Sequence, residues 1–188
     1  MMDVKPIDTV YKGYRFRSRL EARWAVFFDA AGIRFEYESQ GYKLPDGSCY
    51  LPDFYLPDFK AYVEIKPFGV KPIDLDIAKH KCEELFYGMK DIIVVLCLGD
   101  PSDDDVEVFC SDSTDSGGGE NWWEARFFRK GNVPMLGLID RRNDREFFTS
   151  GWGAVKNVKK LGGYTTQNRM TVEKLKARQA RFEHGQIG

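Results

Sequence analysis

YLPDFYLPDFKAYVEIK, residues 50–66, carries Pro-Asp-Phe twice, at 52–54 and 57–59, and closes on Glu64-Ile65-Lys66. Its Tyr, Leu, Val and Ile content predicts strands over 50–56 and 61–66, with Pro57-Asp58 supplying turn chemistry between them. Side chains alternate along a strand, so Glu64 and Lys66 share one face while Val63 and Ile65 share the other. If the two segments close about a two-residue turn at Asp58-Phe59, Asp53 lies directly opposite Glu64 with Cβ atoms about 4.5–5.5 Å apart. Asp58 then belongs to the turn, away from the pair.

Two ionised carboxylates about 4 Å apart repel by about 4 kcal/mol at an effective dielectric near 20. That arrangement calls for a positive neighbour, either Lys66 or a divalent cation. An oxygen-only donor set favours Mg²⁺ or Mn²⁺ over zinc. Two carboxylates on a cation with a lysine beside them suit phosphodiester hydrolysis. The cation polarises the phosphate and activates water, and the lysine orients or deprotonates that water.

Around this hairpin the chain reads as alternating elements. Residues 18–31 place Leu20, Trp24, Phe27, Phe28 and Ala31 at helical spacing, between Ser18 as N-cap and Gly32 as the residue past the end. Residues 33–38 alternate as a half-buried strand. Residues 74–87 predict a helix with Leu75, Ala78, Cys82, Leu85 and Phe86 on one side, and 91–98 a central strand covered on both faces. The acidic, Gly-rich stretch that follows predicts a mobile loop. Residues 122–128 and 135–140 form a late hairpin about Lys130-Gly131-Asn132, and 172–183 a final helix. In that helix Val172, Leu175 and Phe182 would dock, leaving Lys174, Lys176, Arg178 and Arg181 outward. The order predicts an α/β (α+β) domain with a central mixed sheet flanked by helices.

Pro52-Asp53, ten residues, then Glu64-Ile65-Lys66 resembles the PD-(D/E)XK signature of the restriction-endonuclease-like nuclease superfamily. Arg17-Ser18-Arg19-Leu20-Glu21 resembles the early helix of these enzymes. The resemblance covers residues 14–66, with helix 74–87 and strand 91–98 in the expected order, and nothing beyond about residue 100. It implies a restriction-endonuclease-like sheet, Mg²⁺ (or Mn²⁺) as cofactor, and endonuclease action on DNA more than RNA. It further implies Asp53, Glu64 and the Ile65 carbonyl as metal ligands, Lys66 as the catalytic lysine, and Glu21 as an outer or second-metal carboxylate.

Several residues carry a competing structural reading. Ser18 and Glu21 also form a capping box, which claims the same carboxylate. Glu38 shares a strand face with Glu36 and can reach the face of the site, with a surface place the favoured reading. Arg15, Arg17, Arg19 and Arg23 form a basic cluster suited to phosphate, as do Lys174, Arg178 and Arg181 near the C-terminus. Trp122, Trp123, Phe127, Phe128 and Trp152 read as packing more than base stacking. His80 and His184 show no partner, and a zinc site at His80 and Cys82 lacks a second ligand pair.

The chain has 188 residues, 43% hydrophobic and 30% charged, with net charge −1. That composition predicts one nuclease-like domain, residues 1–150, followed by a basic extension, 151–188, carrying the terminal helix. Seven acidic residues and no Lys or Arg fall between 100 and 115, whereas 151–188 holds eight Lys/Arg against two Glu. No apolar run is long enough to span a bilayer, and the first residues lack a secretory signal, so a cytoplasmic location without membrane contact is expected. Cutting both strands of a duplex would require a homodimer or a partner protein. The alternative is a catalytically silent or partner-dependent nucleic-acid-binding or inhibitor module with the same fold. Opposed carboxylates argue against it, because binding alone has no use for them.

Overall fold

The computed structural model describes residues 6–89, 91–103, 105–111, 120–140, 145–148, 159–160 and 170–182. The quoted stretch forms β6 (Phe54–Leu56) and β7 (Ala61–Lys66), antiparallel in the expected register: Phe54 faces Val63, Tyr55 faces Tyr62, Leu56 faces Ala61. The turn is wider than expected. Pro57–Phe59 form one 3₁₀ turn, and Lys60, at φ 46°, closes it in the left-handed region. Pro57 cannot donate to the ladder, so pairing stops at Leu56.

From β7 the chain crosses through α2 (Pro72–Gly88) to β8 (Ile93–Leu98), which lies parallel to β7. Parallel neighbours need such a crossover. Together with β3 (Glu36–Tyr37), β9 (Asp105–Ser111), β10 (Glu120–Lys130), β11 (Val133–Asp140), β12 (Arg145–Phe148) and β13 (Lys159–Lys160), these strands form a nine-stranded mixed sheet. Its order is β13-β12-β11-β10-β9-β8-β7-β6-β3, with β7–β8 the parallel pair among the described strands. The expected late hairpin is present, with Lys130 opposite Val133 across Gly131-Asn132.

Each face of the sheet has its own core. Val63, Ile65, Val95 and Cys97 pack with α1 (Arg19–Ala31), whose Ala22, Ala25, Phe27 and Phe28 are buried. Phe28 meets Phe54 edge-on at 5.4 Å between ring centroids, and Phe27 meets Phe127 at 5.7 Å. Each such ring contributes about 1.5–3 kcal/mol through burial. On the opposite face Tyr62 and Val94 pack with Cys82 and Leu85 of α2 and with Leu44 and Tyr50. Tyr50 arrives on a separate hairpin, β4 (Tyr42–Lys43) with β5 (Cys49–Tyr50). Helix α1 starts and stops as its ends dictate: the Ser18 hydroxyl accepts from the Glu21 N–H, and Gly32 sits at φ 72°.

Three expectations are corrected. Part of the acidic stretch expected as a loop is β9, because Val106, Val108 and Cys110 alternate into the core and the period-2 apolar pattern outweighs the charges between them. Residues 112–119 lie outside the described residues. The expected strand 33–38 is reduced to Glu36–Tyr37. The terminal helix, α3 (Thr171–Gln179), turns a different face inward: Met170, Lys174 and Ala177 are buried while Val172 and Leu175 are 63% and 50% exposed, and of the three residues expected to dock Phe182 packs on the core. Small Ala177 allows close approach to α1, and Arg129, bonded to Glu173 and to the Ala31 carbonyl at 2.9 Å each, fastens α3 to the end of α1. Glu183 lies outside the described residues. A further hairpin, β1 (Thr9–Tyr11) with β2 (Tyr14–Phe16), turns at Lys12-Gly13 and went unread in the sequence.

One residue joins the two halves of this scaffold. Gly99, just past β8, donates its N–H to the Lys66 carbonyl at 2.8 Å, and its own carbonyl accepts from the Trp24 indole at 2.9 Å. Its φ is +76°, and an added Cβ would meet Asp103 Oδ2 at 2.5 Å. Among the described residues no helix is long and apolar enough to cross a membrane.

Candidate functional site

Where β7 ends, beside the first turn of α1, a cleft of about 440 Å³ opens, lined among others by Arg17, Glu21, Tyr50, Asp53, Glu64, Ile65, Lys66 and Lys81. The hairpin register brings Asp53 one residue past the β6 ladder, opposite Glu64. Both are buried, at 5% and 7% exposed. A buried charge is costly unless paired and hydrogen-bonded, and each carboxylate meets that demand in the same divided way.

For each, one oxygen is held by the fold and the other by a cationic side chain that reaches solvent. Asp53 Oδ2 accepts from the Ile65 N–H at 2.8 Å, and Oδ1 accepts from Arg17 Nη2 at 3.1 Å. Glu64 Oε2 accepts from the Tyr50 hydroxyl at 2.6 Å, and Oε1 pairs with Lys66 Nζ. The Arg17 side chain is 58% exposed and that of Lys66 is 27% exposed. The outer oxygens are thus the exchangeable ones.

Electrostatics follow the geometry. Burial and the nearby Glu64 charge push the Asp53 carboxyl up to about 8, against the stabilising Ile65 N–H. Burial alone would lower the Lys66 ammonium, but Glu64 and Asp53 outweigh it and hold the group above its ordinary value. Burial raises the Tyr50 hydroxyl well above its usual range, so it stays a donor to Glu64.

Glu21 reaches the cleft but is tied to its own helix end. Its Oε1 accepts from the Ser18 hydroxyl at 2.6 Å; its Oε2 accepts from the Arg17 N–H at 3.1 Å and the Tyr37 hydroxyl at 2.6 Å. Both oxygens are therefore engaged, Oε1 by the N-cap serine and Oε2 by Arg17 and Tyr37, while the Glu21 charge still raises Asp53.

Sequence reasoning missed two neighbours, Tyr37 and Tyr50, and favoured a surface place for a third. Glu38, read as surface, pairs with Arg17 at 2.5 Å, and burial together with Glu21 and Glu64 raises its carboxyl, partly offset by Arg17. Tyr37 and Tyr50 each clamp a carboxylate. The signal available was that a buried tyrosine seeks a partner for its hydroxyl, but β5 lies outside the main sheet, so its register gave no partner.

The remaining expected residues divide. Arg15 lies apart, paired with Asp8 at 2.6 Å. Arg19, Arg23, Arg178 and Arg181 gather at a second cleft between α1 and α3. Lys174, expected outward for phosphate, is 9% exposed and turned into the fold. Asp58 is a turn residue, gripped by Arg34 Nε at 2.9 Å. His80, expected without a partner, meets Asp46 at 3.3 Å, while Cys82 is buried against Tyr50 at 3.6 Å. Phe127 and Phe128 are buried and Trp122 bonds Glu83 at 2.6 Å, so these aromatics pack as expected. Trp152 and His184 lie outside the described residues.

As arranged, the described residues contain no group of three or more His, Cys, Asp or Glu side chains poised to hold a metal. Mg²⁺ does not need three: one or two carboxylates with waters complete its shell. The two exchangeable oxygens, in a site where Asp53 is short of positive charge, fit that requirement. A scan of known protein-family models finds none that matches this chain, and a search of curated proteins finds no match.

Proposed function

We propose that the chain is a metal-dependent phosphodiester hydrolase, an endonuclease of the PD-(D/E)XK kind acting on DNA in preference to RNA. The observation that carries this reading is the placement of two buried carboxylates and Lys66 on one cleft wall, each carboxylate with one fixed and one exchangeable oxygen.

Asp53, Glu64 and the Ile65 carbonyl would hold Mg²⁺ or Mn²⁺, which when bound polarises the phosphate and lowers the pKa of attacking water. The chain's own residues do the rest. Because Lys66 is held protonated by its acidic neighbours, it serves as a cation and hydrogen-bond donor toward the negative charge that develops on the phosphoryl oxygens, not as a base. Tyr50 and the Ile65 N–H fix the inner oxygens and so aim the outer ones into the cleft. Arg17, half-exposed, is placed to leave Asp53 for a substrate phosphate, with Glu38 holding it nearby. Glu21 adds negative charge behind this set and keeps α1's first turn in place.

A cleavage assay on supercoiled, linear, single-stranded and branched DNA with Mg²⁺, Mn²⁺ or EDTA tests the reading. Metal-dependent cutting that disappears in Asp53→Ala and Lys66→Ala is expected. No cutting of any DNA, with metal affinity unchanged by Asp53→Ala, would overturn it.

A further inference from the structure

The arginines of this molecule are unequally partnered. Arg15 meets Asp8, Arg34 meets Asp58, Arg129 meets Glu173, and Arg17 is shared between Glu38 and Asp53. Arg19, Arg178 and Arg181 have no acidic partner among the described residues, and all three line the same cleft of about 660 Å³ between α1 and α3. Arg23 joins them one turn along α1, its Nη1 3.2 Å from Asp100 Oδ2 at the rim. The lining itself contains no carboxylate. Four guanidinium groups on a concave surface repel one another, and the fold gains nothing from gathering them without an anion to fill the space.

Two features choose the anion. Arg17 lines the carboxylate cleft and Arg19 the arginine cleft, so the first turn of α1 is the wall between them. An occupant continuous across that wall must offer several spaced anionic groups, of which one reaches Lys66. Guanidinium forks match phosphate oxygens in bidentate fashion. An acidic peptide meets the arginine cleft equally well but brings nothing for Asp53, Glu64 and Lys66 to act on.

We propose that the α1–α3 cleft is a separate phosphate-binding track, which grips the backbone of the nucleic-acid strand on one side of the bond presented to Lys66. The identity of the polyanion rests on the hydrolase reading; the anion binding does not.

The test uses the full chain in EDTA, with fluorescence anisotropy of single-stranded and duplex DNA oligonucleotides over a range of salt. The Arg178→Ala/Arg181→Ala double variant should bind at least about tenfold more weakly. For duplex DNA the slope of log K against log salt should fall by about 1.8, since each phosphate that an arginine no longer neutralises takes away about 0.9. Arg178→Lys/Arg181→Lys should restore most of the slope, and Arg34→Ala, whose guanidinium is already paired, should change neither quantity. Both helices remain intact by circular dichroism, since Arg178 and Arg181 point outward. Unchanged affinity and slope in the double alanine variant would overturn the track, as would tighter binding of poly-glutamate than of DNA. A reduced slope without any metal-dependent cutting would leave the track standing and remove the hydrolase; cutting with an unchanged slope would do the reverse.

Discussion

The two Pro-Asp-Phe tripeptides share a sequence and part of a fate. Phe54 and Phe59 both enter the α1-side core, at 1% and 5% exposed. Their aspartates diverge. Asp53 is 5% exposed, bonded to the Ile65 N–H and pushed up by burial and Glu64. Asp58 stands at the surface in a turn, and the hydrogen bond from Arg34 holds its carboxyl below the ordinary value. The tripeptide decides neither outcome. One aspartate precedes a strand that aligns with Glu64, the other sits in the turn that sets this alignment, and the neighbours so acquired determine which carboxylate can serve chemistry.

The sharpest way to break this comparison is to neutralise each aspartate in turn. Asp53→Asn should slow metal-dependent cleavage by at least about 100-fold, in line with the loss of a ligand to a cation worth several kcal/mol of transition-state stabilisation, while Asp58→Asn leaves the rate alone. Single-turnover rates on one DNA substrate decide it, and equal losses would erase the distinction. Next in size is Tyr50→Phe, which frees the inner oxygen of Glu64. Removing such a supporting bond should weaken Mg²⁺ binding by about 10–100-fold, read by titration calorimetry; unchanged affinity would mean Tyr50 only packs.

The opposite pKa shifts give a third contrast. Asp53 has a folded pKa raised above its unfolded value, so the native state takes up a proton between the two. Metal-free stability attributable to this group should therefore fall as pH rises from the ordinary carboxylate range through about 8. Mg²⁺ must displace that proton, so its stabilising effect should grow over the same window and vanish in Asp53→Asn. Thermal unfolding with Mg²⁺ or EDTA between about pH 5 and about pH 9 checks both signs. The smallest effect belongs to Asp58→Asn, because its pair with Arg34 is exposed and screened by solvent. Since the folded pKa of Asp58 is depressed, the contribution of that pair is complete above the unfolded value and lost as pH falls through the folded one. Urea midpoints of the parent and Asp58→Asn should converge in acid.

What the sequence made legible was governed by short-range rules. The alternation of Val63, Glu64, Ile65 and Lys66 with the double Pro-Asp-Phe set the hairpin register, and Ser18 and Gly32 marked the ends of α1. Less legible were features decided by distant partners. Asp105 and Glu107, in an acidic stretch, masked a strand whose apolar positions are completed by β8 and β10. In α3 the larger aliphatics suggested one docking face, yet the fit against α1 selected Ala177 and the Lys174 stem. Tyr37, Glu38 and Tyr50 joined the cleft through tertiary contacts that no spacing announces, and with them came the division between fixed and exchangeable oxygens.

Gly99 has a mechanical consequence. The strand that ends in Lys66 and the helix that bears Arg19 and Arg23 are both moored to the main chain of this one residue, through the Lys66 carbonyl and the Trp24 indole. The span between the lysine and the arginine cleft is therefore a ruler with a rigid back, graduated by main chain and core and not by surface side chains. Exchange of the arginines alters the strength of the grip but leaves the graduation where it was; a side chain at position 99, which has to displace Asp103, recalibrates it.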